Sequence, residues 1–166
     1  MNNTRYKQLS ENTEKKFPEG LSLPVDIFKE LQESLHVFND IANTVDGIKK
    51  HIIYKPIDTA GKTCLLLTQA QIEILHAVLG MLTEVSEVLD LLLIKNILDI
   101  DKQHLSEELG DLMWYVQIIL RNTDLEMSDI NEINIKKLAA RFPNKFCSER
   151  ALKRDLENEK QAMGSI

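Results

Sequence analysis

The sequence predicts an all-α protein, a four- to five-helix bundle, on three observations. Apolar residues recur at three- and four-residue spacing over several long stretches. Leu, Ile, Glu and Lys, which favour helices, dominate the 166 residues, whereas six glycines and four prolines are few for a sandwich of short strands and tight turns. A chain of this length fills one compact core more readily than two.

Taken in order, residues 1 to 20 are polar, end in Phe17-Pro18-Glu19-Gly20, and read as a flexible arm ahead of a single domain over residues 21 to 166. Pro24 suits the first turn of a helix, and Val25, Phe28, Leu31, Leu35, Phe38, Ile41, Ala42 and Val45 continue it as one apolar stripe. Gly47 and the segment from Lys49 to Thr63, with Pro56 and Gly61, break that pattern, so a loop is expected there. Thr68 with Gln71 three positions on is a capping box, and Ile72, Leu75, Leu79, Leu82, Leu89 and Leu92 carry the second helix to about Lys95. A polar stretch, Asp99 to Gln103, precedes a third helix with Glu107 and Glu108 in its first turn and Leu109, Leu112, Met113, Val116 and Leu120 in its body. Ser128 is placed to cap a fourth, through Ile130, Ile133, Leu138 and Phe142, which Pro143 stops. The charged stretch Ser148 to Met163 reads as a fifth helix.

Charge and hydropathy exclude several function classes. The formal charge of -6 comes without the basic stripe that a nucleic-acid backbone requires. The longest apolar run, Val88 to Ile94, is interrupted by Asp90 and closed by Lys95, well short of the roughly 20 residues that span a bilayer. The first residues have no apolar targeting segment, so a cytoplasmic location is expected. Cys64 and Cys147 then read as packing residues rather than a disulfide or metal pair. Gly61-Lys62-Thr63 ends like a phosphate-binding loop, but Pro56 stands where that motif needs its first glycine.

Four acidic positions are not explained by the helical pattern. Glu84 and Glu87 on the second helix, and Glu108 and Asp111 on the third, are each spaced i, i+3, so each pair projects from one helix face. Both pairs sit in apolar text, Met81, Leu82, Val85 and Val88 on one side and Leu109, Leu112 and Met113 on the other. Converging carboxylates repel and demand a cation, which favours an all-oxygen site for a hard divalent ion such as Mg²⁺. The same spacing also fits a solvated acidic stripe, with Glu107 and Glu108 complementing a helix N-terminus. Glu73 and His76 form a Glu-x-x-His pair of the di-iron kind, yet Glu73 lies on the order of 16 Å along the axis from Glu84 and has no second such pair. His76 reads instead as a satisfied core or interface histidine.

At these residues the sequence resembles the MazG-like all-α nucleoside triphosphate pyrophosphohydrolases, and among them the phage-type members. Thr83-Glu84-Val85-Ser86-Glu87, a spacer of 20 residues, and Glu108-Leu109-Gly110-Asp111 follow the family's Glu-Glu-x-x-Glu and Glu-x-x-Asp signature, with Thr83 in place of the first glutamate. The likeness extends through Asn134 to Glu159 and covers about residues 66 to 160. It implies the all-α pyrophosphatase fold and hydrolysis of nucleoside or deoxynucleoside triphosphates to the monophosphate and pyrophosphate. It also implies Mg²⁺, with Mn²⁺ as a substitute, on Glu84, Glu87, Glu108 and Asp111. Glu87, and after it Glu84, is the expected base, and Thr83 suggests an altered number of metal ions.

Asn134, Lys137 and Arg141 fall on one face of the fourth predicted helix, a polar stripe that is either solvated or able to hold phosphate oxygens; the resemblance favours phosphate. Arg150 and Arg154 are further candidates of that kind, and Trp114, three residues after Asp111, either stacks on a base or packs in the core. Apolar surplus at Leu89, Leu91, Leu92, Leu93, Ile94 and Ile97 predicts a homodimer or homotetramer with sites near the subunit interface. A non-catalytic nucleotide- or protein-binding module, and a dUTP- or phosphoribosyl-ATP-specific pyrophosphohydrolase, are the alternative readings.

Overall fold

The computed structural model describes residues 2–17, 24–91 and 100–164, and among these there are seven α-helices and no strand. The all-α prediction holds. The chain groups into two compact units, residues 23–124 and residues 1–22 with 125–166.

The larger unit holds α2 (Val25–Tyr54), α3 (Gln69–Asp90) and α4 (Lys102–Thr123), with α3 packed against both others. α2 runs through Gly47, where a break was expected. A mid-helix glycine costs only about 1 kcal/mol, and the row Phe28, Leu35, Asn39, Ala42, Asp46, Lys49 and Ile53, all wholly or partly buried, continues across it. The helix ends instead just before Pro56, whose ring disfavours helical geometry at the residue before it. α3 starts as expected: the Thr68 hydroxyl accepts from the Gln71 N–H at 3.2 Å and the Gln71 side chain accepts from the Thr68 N–H at 2.9 Å. Its expected extension to Lys95, and the apolar residues from Leu92 to Ile97, lie outside the described residues; Leu91 is buried.

α4 begins one turn earlier than expected, because the Asp101 carboxylate caps the N–H groups of Gln103 and His104 at 3.0 and 3.1 Å. Glu107 and Glu108 therefore stand in its second turn. Its inward face is also different. Glu108, Tyr115, Ile118 and Leu120 are buried, whereas Leu109 and Met113, expected in the core, are about half exposed.

At Gly80, α3 lies close against the Tyr115 ring of α4. A Cβ there would stand 2.1 Å from the Tyr115 ring, so only glycine admits that ring, which packs with Ala77 and Ile118 as the buried apolar centre.

The smaller unit contains α1 (Asn3–Glu11), α5 (Met127–Arg141), α6 (Ser148–Leu152) and α7 (Leu156–Met163). α1 replaces part of the expected flexible arm. The Asn2 side chain caps it at the Arg5 N–H, and the Tyr6 hydroxyl accepts from Asn134 Nδ2 of α5 at 3.0 Å. α5 starts before Ser128, which lies inside its first turn rather than capping it, and stops before Pro143 as expected. The single tail helix expected from Ser148 to Met163 is two helices, and Asp155 caps the second. No described helix is long and apolar enough to cross a membrane. Cys64 is free and exposed rather than packed, and Cys147 is free and partly buried.

Arg141 at the end of α5 and Arg154 in the link between α6 and α7 each donate two hydrogen bonds to Glu159 of α7, which is 2% exposed, at 2.7 to 3.3 Å. The two guanidinium groups hold the Glu159 carboxyl down at about 2, from an ordinary 4.5. A depressed carboxylate stabilises the fold fully above pH 4.5, and that contribution disappears as pH falls towards 2. The wild-type thermal midpoint should thus fall more steeply between pH 5 and pH 2 than that of Glu159→Gln, which has no charge to lose; parallel slopes would refute it.

Candidate active site

The site of the larger unit forms where α3 meets α4. Glu84 and Glu87, one turn apart on α3, and Glu108 of α4 bring one carboxylate oxygen each to within 4.8 Å of one another. Glu84 and Glu108 are buried, and Glu87 is exposed. Asp111, one turn beyond Glu108, is exposed and stands outside this group of three, though its charge acts on Glu84. Two of the four expected ligands thus come from α3 and one from α4 as a cluster, with the fourth at its edge.

Burial, then the negative charges of Glu87, Asp111 and Glu108, push the Glu84 carboxyl up to about 7. Loss of surrounding water, with the charge of Glu108, raises Glu87 in the same direction. His104 Nε2 stands 2.9 Å from Glu108 Oε1, one helical turn before it. The ligand oxygens of a small divalent ion stand about 2.1 Å from it and so up to about 4.2 Å apart. The three carboxylates need to close by only about half an ångström, within the reach of their side-chain torsions. The donor set is all oxygen, and its repulsion is what a bound cation would remove, so the residues fit a hard divalent ion.

Sequence reasoning missed Lys49. Its ammonium is buried, 3.0 Å from Asp46 Oδ1 and 3.1 Å from Thr83 Oγ1, and lies over the Tyr115 ring at 5.9 Å from the centroid. Asp46 and Lys49 fall where the inward stripe of α2 calls for apolar residues, a signal present in the sequence. His104 was signalled only by its spacing from Glu108.

Trp114 is 55% exposed, edge-on to Tyr115 at 4.9 Å and to His76 at 6.2 Å, rather than sealed in the core. His76 is satisfied, as expected, by the Tyr54 hydroxyl at 3.0 Å. Glu73 accepts from Asn122 Nδ2 of α4 and from Gln69 Nε2 of its own helix, both at 2.8 Å.

The other predicted site residues belong to the smaller unit. Asn134 is bonded to Tyr6, Lys137 is partly buried, and Arg141 and Arg154 share Glu159. Arg141, Arg150 and Lys153 line one cleft of about 310 Å³, together with Asp155 and Asn158. The bonds from Arg141 to Glu159 use Nε and Nη2.

Residues 73–146 match the family model of the MazG nucleotide pyrophosphohydrolase domain. The MazG match takes in Glu84, Glu87, Glu108 and Asp111 with Trp114, Asn134, Lys137 and Arg141, but neither Lys49 nor Arg154. No curated protein and no solved structure matches the chain.

The raised Glu84 carboxyl makes metal binding depend on pH. A proton on Glu84 competes with the ion, so Mn²⁺ affinity should weaken as pH falls through about 7. Stability without metal should have the opposite slope. A raised carboxyl costs nothing below pH 4.5 and its full repulsion above about 7, so metal-free stability falls as pH rises through that window. Titrations of Mn²⁺ at pH 6, 7 and 8 check the first expectation, and melts in chelator check the second.

Proposed function

We propose that this protein hydrolyses nucleoside or deoxynucleoside triphosphates to the monophosphate and pyrophosphate in a Mg²⁺-dependent reaction, with Mn²⁺ able to substitute. The single observation that carries this reading is the meeting of Glu84, Glu87 and Glu108 within 4.8 Å, inside a stretch that matches a nucleotide pyrophosphohydrolase domain. Glu84, Glu87, Glu108 and Asp111 hold the ion. Bound there, it supplies charge neutralisation at the phosphates and acidifies a bound water.

The chain's own residues do the rest. Glu87 is the carboxylate of the cluster that solvent reaches, which suits it to accept the proton of an attacking water; Glu84, buried and with its carboxyl raised to about 7, is the second candidate. Glu108 is held in place by His104. Within the smaller unit, Lys137 and Arg141, with Arg154 and Arg141 both held on Glu159, carry cationic groups suited to phosphate oxygens, and Asn134 carries an amide suited to a nucleotide. The exposed face of Trp114 is open to stacking on a base.

A homodimer or homotetramer is supported by a different surface from the one expected. Ile27, Leu31, Ile41, Ile48 and Ile52 form an exposed apolar row along α2, about 100° round the helix from the row that packs on α3.

Pyrophosphate release from a panel of ribo- and deoxyribonucleoside triphosphates, with Mg²⁺, Mn²⁺ or chelator, tests the reading. Metal-dependent release of monophosphate and pyrophosphate is the expected result. No release from any nucleotide, with the chain folded, would replace it with a non-catalytic binding module.

A further inference from the structure

Lys49 sits in a shell of oxygen ligands. Asp46 Oδ1 at 3.0 Å and Thr83 Oγ1 at 3.1 Å both face its ammonium. The Thr83 hydroxyl donates its own proton to Gly80 O at 2.7 Å, so a lone pair is left for Lys49. Glu87 lies one turn beyond Thr83 on the same face of α3 and feels the charges of both Lys49 and Asp46. Asp46 and Thr83 are thus arranged around a cation whose charge reaches Glu87, and the cation is part of the chain. Only 5% of Lys49 is exposed, and an ammonium is buried that deeply only where its partners repay its lost hydration.

We propose that the Lys49 ammonium occupies the place of a second divalent ion, so that the carboxylate cluster takes one metal ion per chain. This inference rests on the metal-site reading above. Two arguments support it. A divalent ion beside Glu87 on the Thr83 side would meet a fixed positive charge already within hydrogen-bonding distance of Asp46 and Thr83. The ammonium also balances part of the negative charge of the cluster from the α2 side, which leaves the α4 side, with Glu108 and Asp111, to receive the metal. Lys49 is on this view a positioning residue, acting on the reaction through Glu87.

The test counts ions. Mn²⁺ binding to the full chain is measured by the electron paramagnetic resonance of free Mn²⁺ and by calorimetry, with circular dichroism as the check on folding. The wild type binds one ion per chain. Lys49→Met, which removes the charge and frees Asp46, binds two, whereas Lys49→Arg keeps a cation and binds one. Thr83→Glu, which leaves α2 untouched, places a carboxylate beside Lys49; it pairs with the ammonium and stoichiometry stays at one. Two ions in the wild type or in Thr83→Glu, or one in a folded Lys49→Met with unchanged affinity, would overturn the inference and leave the metal site standing. No ion bound to the wild type would refute the metal-site reading itself and this inference with it.

Discussion

Glu87→Gln lowers pyrophosphate release by about three orders of magnitude or more while leaving the chain folded. The amide keeps the size of the carboxylate, so packing at the α3–α4 contact is unchanged. It removes one of the three converging oxygen ligands and, with it, the solvent-reachable base. Loss of a general base alone costs about 10²- to 10⁴-fold, and the loss of a ligand charge weakens the metal as well. Folding has no reason to suffer, because Glu87 is one of the charges that raise the Glu84 carboxyl, and neutralising it relieves repulsion in the metal-free state. The paired measurement is turnover against the thermal midpoint in chelator: activity collapses and the midpoint holds or rises. Full activity would remove Glu87 from the chemistry, and an unfolded variant would show the carboxylate to be structural.

Gly80→Ala destabilises the larger unit by about 2 kcal/mol net, a fall in thermal midpoint of roughly 4–8 °C for a chain of this size. In an ordinary helix the same change gains about 1 kcal/mol, so the sign of the effect is itself diagnostic. The added methyl would lie 2.1 to 2.5 Å from three atoms of the Tyr115 ring. That ring has little room to yield, since His76 and Trp114 meet it edge-on and Lys49 lies over it. The helices must separate instead, and because Glu84 stands one turn after Gly80, metal affinity should fall along with stability. A double-mutant cycle with Tyr115→Ala isolates the clash: in that background Gly80→Ala is neutral or stabilising. A destabilisation that persists without the ring would place the cause elsewhere.

What was legible in the sequence is what is encoded locally. The Thr68–Gln71 capping box, the stop at Pro143 and the i, i+3 acidic pairs each depend on residues within one turn of one another, and each is where it was expected. Meetings across helices were not legible. Lys49 and Thr83 are 34 positions apart and Asn134 and Tyr6 are 128 apart, and nothing in their local text announces the pairing. Which face of α4 turns inward was misjudged for a related reason. Leu109 and Met113 look like core residues, but Gly80 draws the Tyr115 ring to α3, and the rotation that seats it buries Glu108 and exposes the two apolar side chains. The expected break in α2 failed because a glycine penalty of about 1 kcal/mol is smaller than what packing against α3 recovers.

The chain has one tryptophan, and it stands three residues after Asp111 with its indole against Tyr115 and His76. That position makes it a native fluorophore for the site. Burial and the Lys49 charge keep the His76 imidazole neutral to lower pH than usual, so protonation quenching of the indole is confined to acid and leaves the neutral range clear. Excitation energy passes from Tyr115 to Trp114 over 4.9 Å, so emission will follow any shift of the ring that fills the space at Gly80. An event at the carboxylates is therefore written into light that the protein emits unlabelled.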